Sequence, residues 1–217
     1  ILLVIAAFII IRTQFIHKKN YLEKADKEKS KSLTKEIEEE DVLKSCTLNV
    51  VKVLNEVLAT YNKIFGGLIN DKLKDLKKAN KCIKHITNET KDLKDNINFT
   101  VIKLREEDVE TGYYYVQVLD YLREIVHCIA FISKPSFEHL DNNLKPLTKE
   151  QTAELSNIKE EVNDFIHSIV EIIKNGDFSG IDIIFEKQQI ILDLIQQSNR
   201  NQLKRIKHSV SGTKNSL

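Results

Sequence analysis

The chain has 217 residues, 30% of them charged, yet its net charge is only +1 because 33 Lys and Arg are interleaved with 32 Asp and Glu. That balance excludes a nucleic-acid-binding profile, which needs a basic face and a pI above about 9. With 2 Pro, 6 Gly and 7% aromatic residues, and with Lys, Ile, Leu and Glu abundant, the composition predicts an all-α protein of long helices in one elongated domain.

The first segment, Ile1 to Ile11, contains no polar residue, Gly or Pro and runs directly into Arg12. A bilayer span needs about 20 apolar residues, so the run is too short to cross as it stands. It also lacks the basic stretch and small-residue cleavage site of a signal peptide. Residues 1–16 are expected to be the truncated end of a transmembrane helix, the other reading being a buried N-terminal helix of a soluble bundle. Lys and Arg next to a membrane segment mark the cytoplasmic side. Arg12, Lys18, Lys19, Lys24 and Lys27 therefore place the remainder of the chain in the cytoplasm, at the inner (plasma) membrane. Residues 17–40, rich in Lys and Glu, form a charged juxtamembrane helix or linker.

Residues 41–208 carry the pattern of a bundle of long antiparallel helices. Leu43, Val50, Val51, Leu54, Val57, Leu58, Tyr61, Ile64 and Phe65 recur at helical spacing until Gly66-Gly67 stops them. Leu76, Ala79, Ile83, Ile86, Thr90, Leu93, Ile97, Thr100 and Leu104 then alternate three and four apart, the seam of a second helix of about 35 residues. A third helix starts near Glu110 and is broken or kinked at Pro135. The fourth opens on Leu147-Thr148-Lys149-Glu150-Gln151, which has the form of a capping box behind an apolar residue. It closes at Asn175-Gly176, a C-terminal stop. A fifth runs from near Ser179 to about His208, leaving 209–217 as a flexible tail.

The third helix holds the residues with the most chemistry. With successive residues about 100° apart, Tyr115, Val118, Leu119, Leu122, Ile125, Val126, Ile129 and Ile132 form a wide apolar face. Tyr113, Gln117, Asp120, Glu124, His127 and Phe131 lie opposite. A helix apolar on most of its circumference is usually buried, which would turn this polar stripe toward a second interior surface. Buried carboxylates there would need partners or a metal. Asp120, Glu124 and His127 are spaced to converge on one divalent or iron-type metal ion, since Glu-x-x-His is the helical step used in di-iron bundles. Glu138 and His139, past Pro135, add ligands or cap the helix end. An acidic stripe opposite an apolar one is also simply what a wet helix face looks like. Asp164-Phe-Ile-His167, with Glu160 and Glu171, lies opposite the core face of the fourth helix and is expected in solvent.

No nucleophilic triad, phosphate-cradling glycine loop or dinucleotide fingerprint is visible. Cys46, Cys82 and Cys128 are odd in number and widely spaced, as suits free thiols in a reducing compartment. No enzymatic activity is expected.

Two stretches of this region carry a resemblance: Glu110-Thr-Gly-Tyr-Tyr-Tyr-Val-Gln-Val-Leu-Asp120-Tyr-Leu-Arg-Glu124-Ile-Val-His127, and Lys134-Pro135-Ser-Phe-Glu138-His139-Leu-Asp141-Asn142-Asn143. Together they resemble the PhoU-like cytoplasmic tail of bacterial inorganic phosphate transporters of the PiT type, chiefly those of Bacteroides-like bacteria. The resemblance implies a regulatory helical bundle that modulates phosphate uptake, partnered by the membrane portion of its own transporter in a homo-oligomer. It also implies metal binding at acidic pairs, of which Asp120-Tyr-Leu-Arg-Glu124 and Glu160-Glu-Val-Asn-Asp164 are the nearest matches. A membrane-tethered helical signalling module unrelated to transport is the alternative, with a di-metal oxidase a distant third.

Overall fold

The computed structural model describes residues 33–97 and 109–207, with side chains from Lys44 onward in the first stretch and from Gly112 onward in the second. The described residues form five helices: α1 (Leu33–Ile69), α2 (Leu73–Asp95), α3 (Val109–Asp141), α4 (Lys149–Asn175) and α5 (Ile181–Lys207). The all-α expectation holds. Residues 1–32, with the apolar run Ile1 to Ile11 and most of the juxtamembrane stretch, lie outside the described residues, as does the tail 209–217. Among the described residues no helix is long and apolar enough to cross a membrane.

α1 is the hub. It packs against α2, α3 and α4, while α2 also packs on α3 and α4 on α5. The sequence of α1 explains this, because Val50, Val51, Val53, Leu54, Val57, Leu58, Tyr61, Ile64 and Phe65 are all buried. Those positions cover more than one stripe of the helix, so it can serve several neighbours at once. Leu76, Ala79 and Ile86 of α2, Val118, Leu119, Leu122, Ile125, Val126 and Ile129 of α3, and Phe165, Ile166, Ile169, Val170 and Ile173 of α4 join them in one core.

Polar pairs across the seams fix the directions. Lys52 meets Glu89 and Lys63 meets Cys82 between α1 and α2. Asn80 meets Ser133 and Lys94 meets Asp120 between α2 and α3. Glu154 meets Arg205 and Ser168 meets Lys187 between α4 and α5. In each pair of helices one number rises as the other falls, so all three pairs are antiparallel. Between α1 and α4, Asn62 and Asn163 exchange amide hydrogen bonds of 2.6 and 2.9 Å.

Three helix ends test the local signals. The capping box at Thr148 forms in full: the Gln151 N–H donates to Thr148 Oγ1 at 3.2 Å, and the Thr148 N–H donates to Gln151 Oε1 at 2.8 Å. Gly176 closes α4 in the left-handed region at φ 64°. Gly66-Gly67, by contrast, does not stop α1, which continues to Ile69. A Cβ on Gly67 would sit 3.0 Å from Leu76 Cγ and 3.3 Å from the Lys72 carbonyl oxygen. That glycine serves the close approach of α2, and the turn itself falls at Asp71, φ 52°.

Pro135 does not break α3, which runs through it to Asp141. The missing N–H leaves the Phe131 carbonyl without its helical donor. Lys134 and Pro135 are exposed and Phe131 is 80% exposed, so water can take that acceptor. Ser136 Oγ meanwhile donates to the Ile132 carbonyl at 2.8 Å. The second helix ends earlier than its repeat suggests, at Asp95, where the Asn96 N–H closes on the Asp92 carbonyl at 3.0 Å. The rest of that repeat, including Thr100 and Leu104, falls outside the described residues.

Candidate functional site

The apolar face of α3 enters the core as expected, and its polar stripe faces outward. Tyr113, Glu124, His127 and Phe131 are exposed, and Asp120 is half-buried. No second interior surface receives the stripe among the described residues, since α3 packs chiefly on α1 and α2 and most of the stripe is exposed. Asp120 is held by Lys94 of α2 and lies 3.8 Å from Arg123. Glu124 and His127 stand 3.9 Å apart in solvent, a spacing and exposure at which an ion pair contributes little. Glu138 is exposed, whereas His139 is half-buried with its Nε2 enclosed and without a hydrogen-bond partner. These five residues therefore divide into a cation-paired carboxylate, an exposed Glu and His step, and two residues beyond Pro135. Their ligand atoms do not meet at one point. Glu160, Asp164, His167 and Glu171 of α4 are exposed, as their position opposite the core face implied.

A different set does converge. Glu56 of α1 and His85 and Glu89 of α2 place their ligand atoms within 4.8 Å of one another. His85 Nε2 lies 4.0 Å from Glu56 Oε2 and 4.0 Å from Glu89 Oε2. His85 and Glu89 are four residues apart, hence on one helical face. Glu56 comes from across the seam, brought there by the tight turn at Asn70 to Lys72. Lys52, one turn before Glu56, donates to Glu89 Oε1 at 2.5 Å and stands 3.9 Å from Glu56. Burial and then the neighbouring Glu89 charge hold the Glu56 carboxyl above the ordinary carboxylate value, while the Glu89 contact raises the Lys52 ammonium. Lys52, His85 and Glu89 line a shallow groove of about 340 Å³ together with Asn88, Asp92, Leu93 and Asn96.

The sequence reading missed this group. His85-x-x-x-Glu89 was visible as a spacing, but Glu56 joins it only through the α1–α2 register, which no local pattern encodes.

The α4–α5 pair carries a second polar network and an apolar surface. Glu154 of α4 accepts two hydrogen bonds of 2.8 Å from Arg205, one of 3.0 Å from Ser198 and one of 2.9 Å from Asn201. The Arg205 bonds are the main reason its carboxyl lies below the ordinary range. Toward its N-terminal end α5 buries Ile181, Ile184 and Ile191 but leaves Ile183, Phe185, Ile190 and Leu192 exposed, as it does Leu203 beside the clamp. The exposed residues flank the buried stripe on both sides. Ile183 and Ile190 lie on one flank, and Phe185, Leu192 and Leu203 on the other.

The three cysteines are free thiols. Burial pushes the Cys46 thiol up to about 11, which keeps it protonated and unreactive.

No protein-family model matches this chain, and neither does any curated protein or solved structure.

Proposed function

We propose that this chain is the cytoplasmic regulatory domain of an inorganic phosphate transporter, a helical bundle that modulates uptake by packing against the membrane portion of its own transporter and against sister subunits. The observation that carries this reading is the run from Glu110 to Asn143, whose residues resemble the PhoU-like tail of such transporters. That run is α3 and the turn after it, which gives the bundle one face to the core and one face outward. Further support comes from α5, which packs chiefly on α4 and keeps apolar residues on both flanks. Apolar flanks on a polar helix suit contact with another protein.

On this reading the domain has no turnover of its own. It acts by biasing the transporter between states, through whatever its outward faces contact in one state and not in the other. The test is deletion of residues 41–208 from the full transporter, followed by labelled-phosphate uptake. Altered uptake or altered response to phosphate supply is expected, and unchanged kinetics and regulation overturn the proposal.

A second reading has one observation behind it. α1 is continuous for 37 residues and begins inside the charged stretch, the form of a lever in a membrane-tethered signalling module. Coding sequence upstream of Ile1 that specifies one or two membrane helices and a sensor domain would favour that reading; many membrane helices would favour the transporter.

A further inference from the structure

The seam between α1 and α2 holds two carboxylates, one imidazole and one ammonium around a single point. Taking the imidazole as neutral, Glu56 and Glu89 contribute two negative charges and Lys52 returns one. The group therefore keeps an uncompensated negative charge beside a desolvating helix seam. Its hydrogen bonds are incomplete as well: Glu89 is only 17% exposed, and its Oε2 is enclosed with no hydrogen-bond partner. A buried carboxylate oxygen without a donor is costly to leave so. That oxygen is the one that faces His85 Nε2, while Lys52 holds the other. The unsatisfied side of the carboxylate thus points at the remaining ligand atoms and away from the lysine.

We infer that Glu56, His85 and Glu89 form a binding site for a first-row divalent metal ion, with Zn²⁺ the best fit, which pins α1 to α2. One nitrogen and two carboxylate oxygens suit this class of ion, and three protein ligands leave a fourth position open to water. Zn–N and Zn–O distances of about 2.0 to 2.2 Å place tetrahedral ligand atoms roughly 3.4 Å apart. The two separations from His85 are 4.0 Å and all three lie within 4.8 Å, so the ligand atoms need to close by roughly 0.6 to 1.4 Å, within side-chain torsional movement. His85 is 70% exposed, so it is free to turn its Nε2 onto the ion. His85 and Glu89 supply an i, i+4 chelate from one helix, and Glu56 closes the site from the other. Lys52 is the competitor: its ammonium neutralises the same carboxylates and must move aside from Glu89.

This assignment stands independently of the transport reading, because it concerns only the α1–α2 pair. Its test is calorimetric titration of Zn²⁺ into the purified chain at neutral pH, with thermal unfolding alongside. One equivalent is expected to bind, raising the unfolding midpoint by on the order of 5 to 10 °C at about a hundredfold excess over Kd. Glu89→Gln and His85→Ala should each weaken binding about tenfold or more, a loss that even outer-shell partners can cause. His85→Ala lies at an exposed position and leaves the fold intact, so its failure to bind reads the site and not unfolding. Lys52→Gln should bind more tightly than the native chain. Absence of binding in both the native chain and Lys52→Gln overturns the assignment, and so does binding that His85→Ala and Glu89→Gln leave unchanged.

Discussion

α3 and α5 are both amphipathic helices at the edge of the bundle, and they are held in different ways. α3 is anchored by six buried apolar side chains from Val118 to Ile129 and packs chiefly against two helices. α5 packs chiefly against α4, buries Ile181, Ile184 and Ile191, and is closed at its far end by the Glu154 to Arg205 clamp. The contrast shows where stability and where interaction reside. α3 leaves Tyr113 and Phe131 exposed, far apart along the helix, but buries the run between them and is a structural member, whereas α5 keeps Ile183 at 54% and Ile190 at 47% exposure beside its buried stripe and retains surface for another partner.

Substitutions can break this comparison. The largest effect is expected from Leu119→Ala, which empties a fully buried position of α3 and should cost about 2 to 5 kcal/mol of global stability by urea unfolding. Ile191→Ala removes a side chain equally buried, but its loss should appear first as α5 opening. Hydrogen exchange should then rise in α5 alone. Exchange rising uniformly over α1 to α5 would mean that α5 is as integral to the core as α3.

Glu154→Ala comes next. It deletes the acceptor for Arg205, Ser198 and Asn201 at a partly screened site, for about 1 to 2 kcal/mol. The lowered carboxyl sets the sign of its pH dependence. Stability from the clamp is fully present above the ordinary glutamate value of 4.5 and is lost as pH falls through the lower folded value. Native protein and Glu154→Ala should therefore converge in acid. Ile183→Ser and Ile190→Ser should each change stability by about 0.5 kcal/mol or less, since both positions are about half exposed.

Glu56 supplies the smallest and opposite effect. Its carboxyl is raised by burial and by Glu89, so its favourable contribution is present below 4.5 and is lost as pH rises through the higher folded value. In metal-free protein Glu56→Gln should be slightly more stable than the native chain at neutral pH and equal to it in acid. A destabilised variant at neutral pH would show that Lys52 outweighs the crowding of Glu56 and Glu89.

Legibility in the sequence tracks the range of the forces involved. Thr148 and Gln151 bond each other within one turn, and Gly176 needs only its own φ, so both helix ends could be read directly. Pro135 as a break and Gly67 as a stop misled because their effects depend on surroundings. An exposed carbonyl lets a helix absorb one proline, and Gly67 answers to Leu76, a residue of the next helix. The candidate site divides in the same way. The outward stripe of α3 was correctly placed opposite the core face, but whether it was wet or buried depended on how many helices α3 touches. Glu56 and Glu89 meet across a seam, and no periodicity within either helix announces that.

The most direct test of the proposed regulatory role is phosphate uptake by the transporter to which we propose this bundle belongs, with the bundle intact, with residues 41–208 deleted, and with Ile183→Ser and Ile190→Ser combined. The account predicts that deletion changes uptake kinetics or its response to phosphate supply, and that the double variant, though folded, shifts them the same way. Uptake and regulation indistinguishable in all three would contradict it.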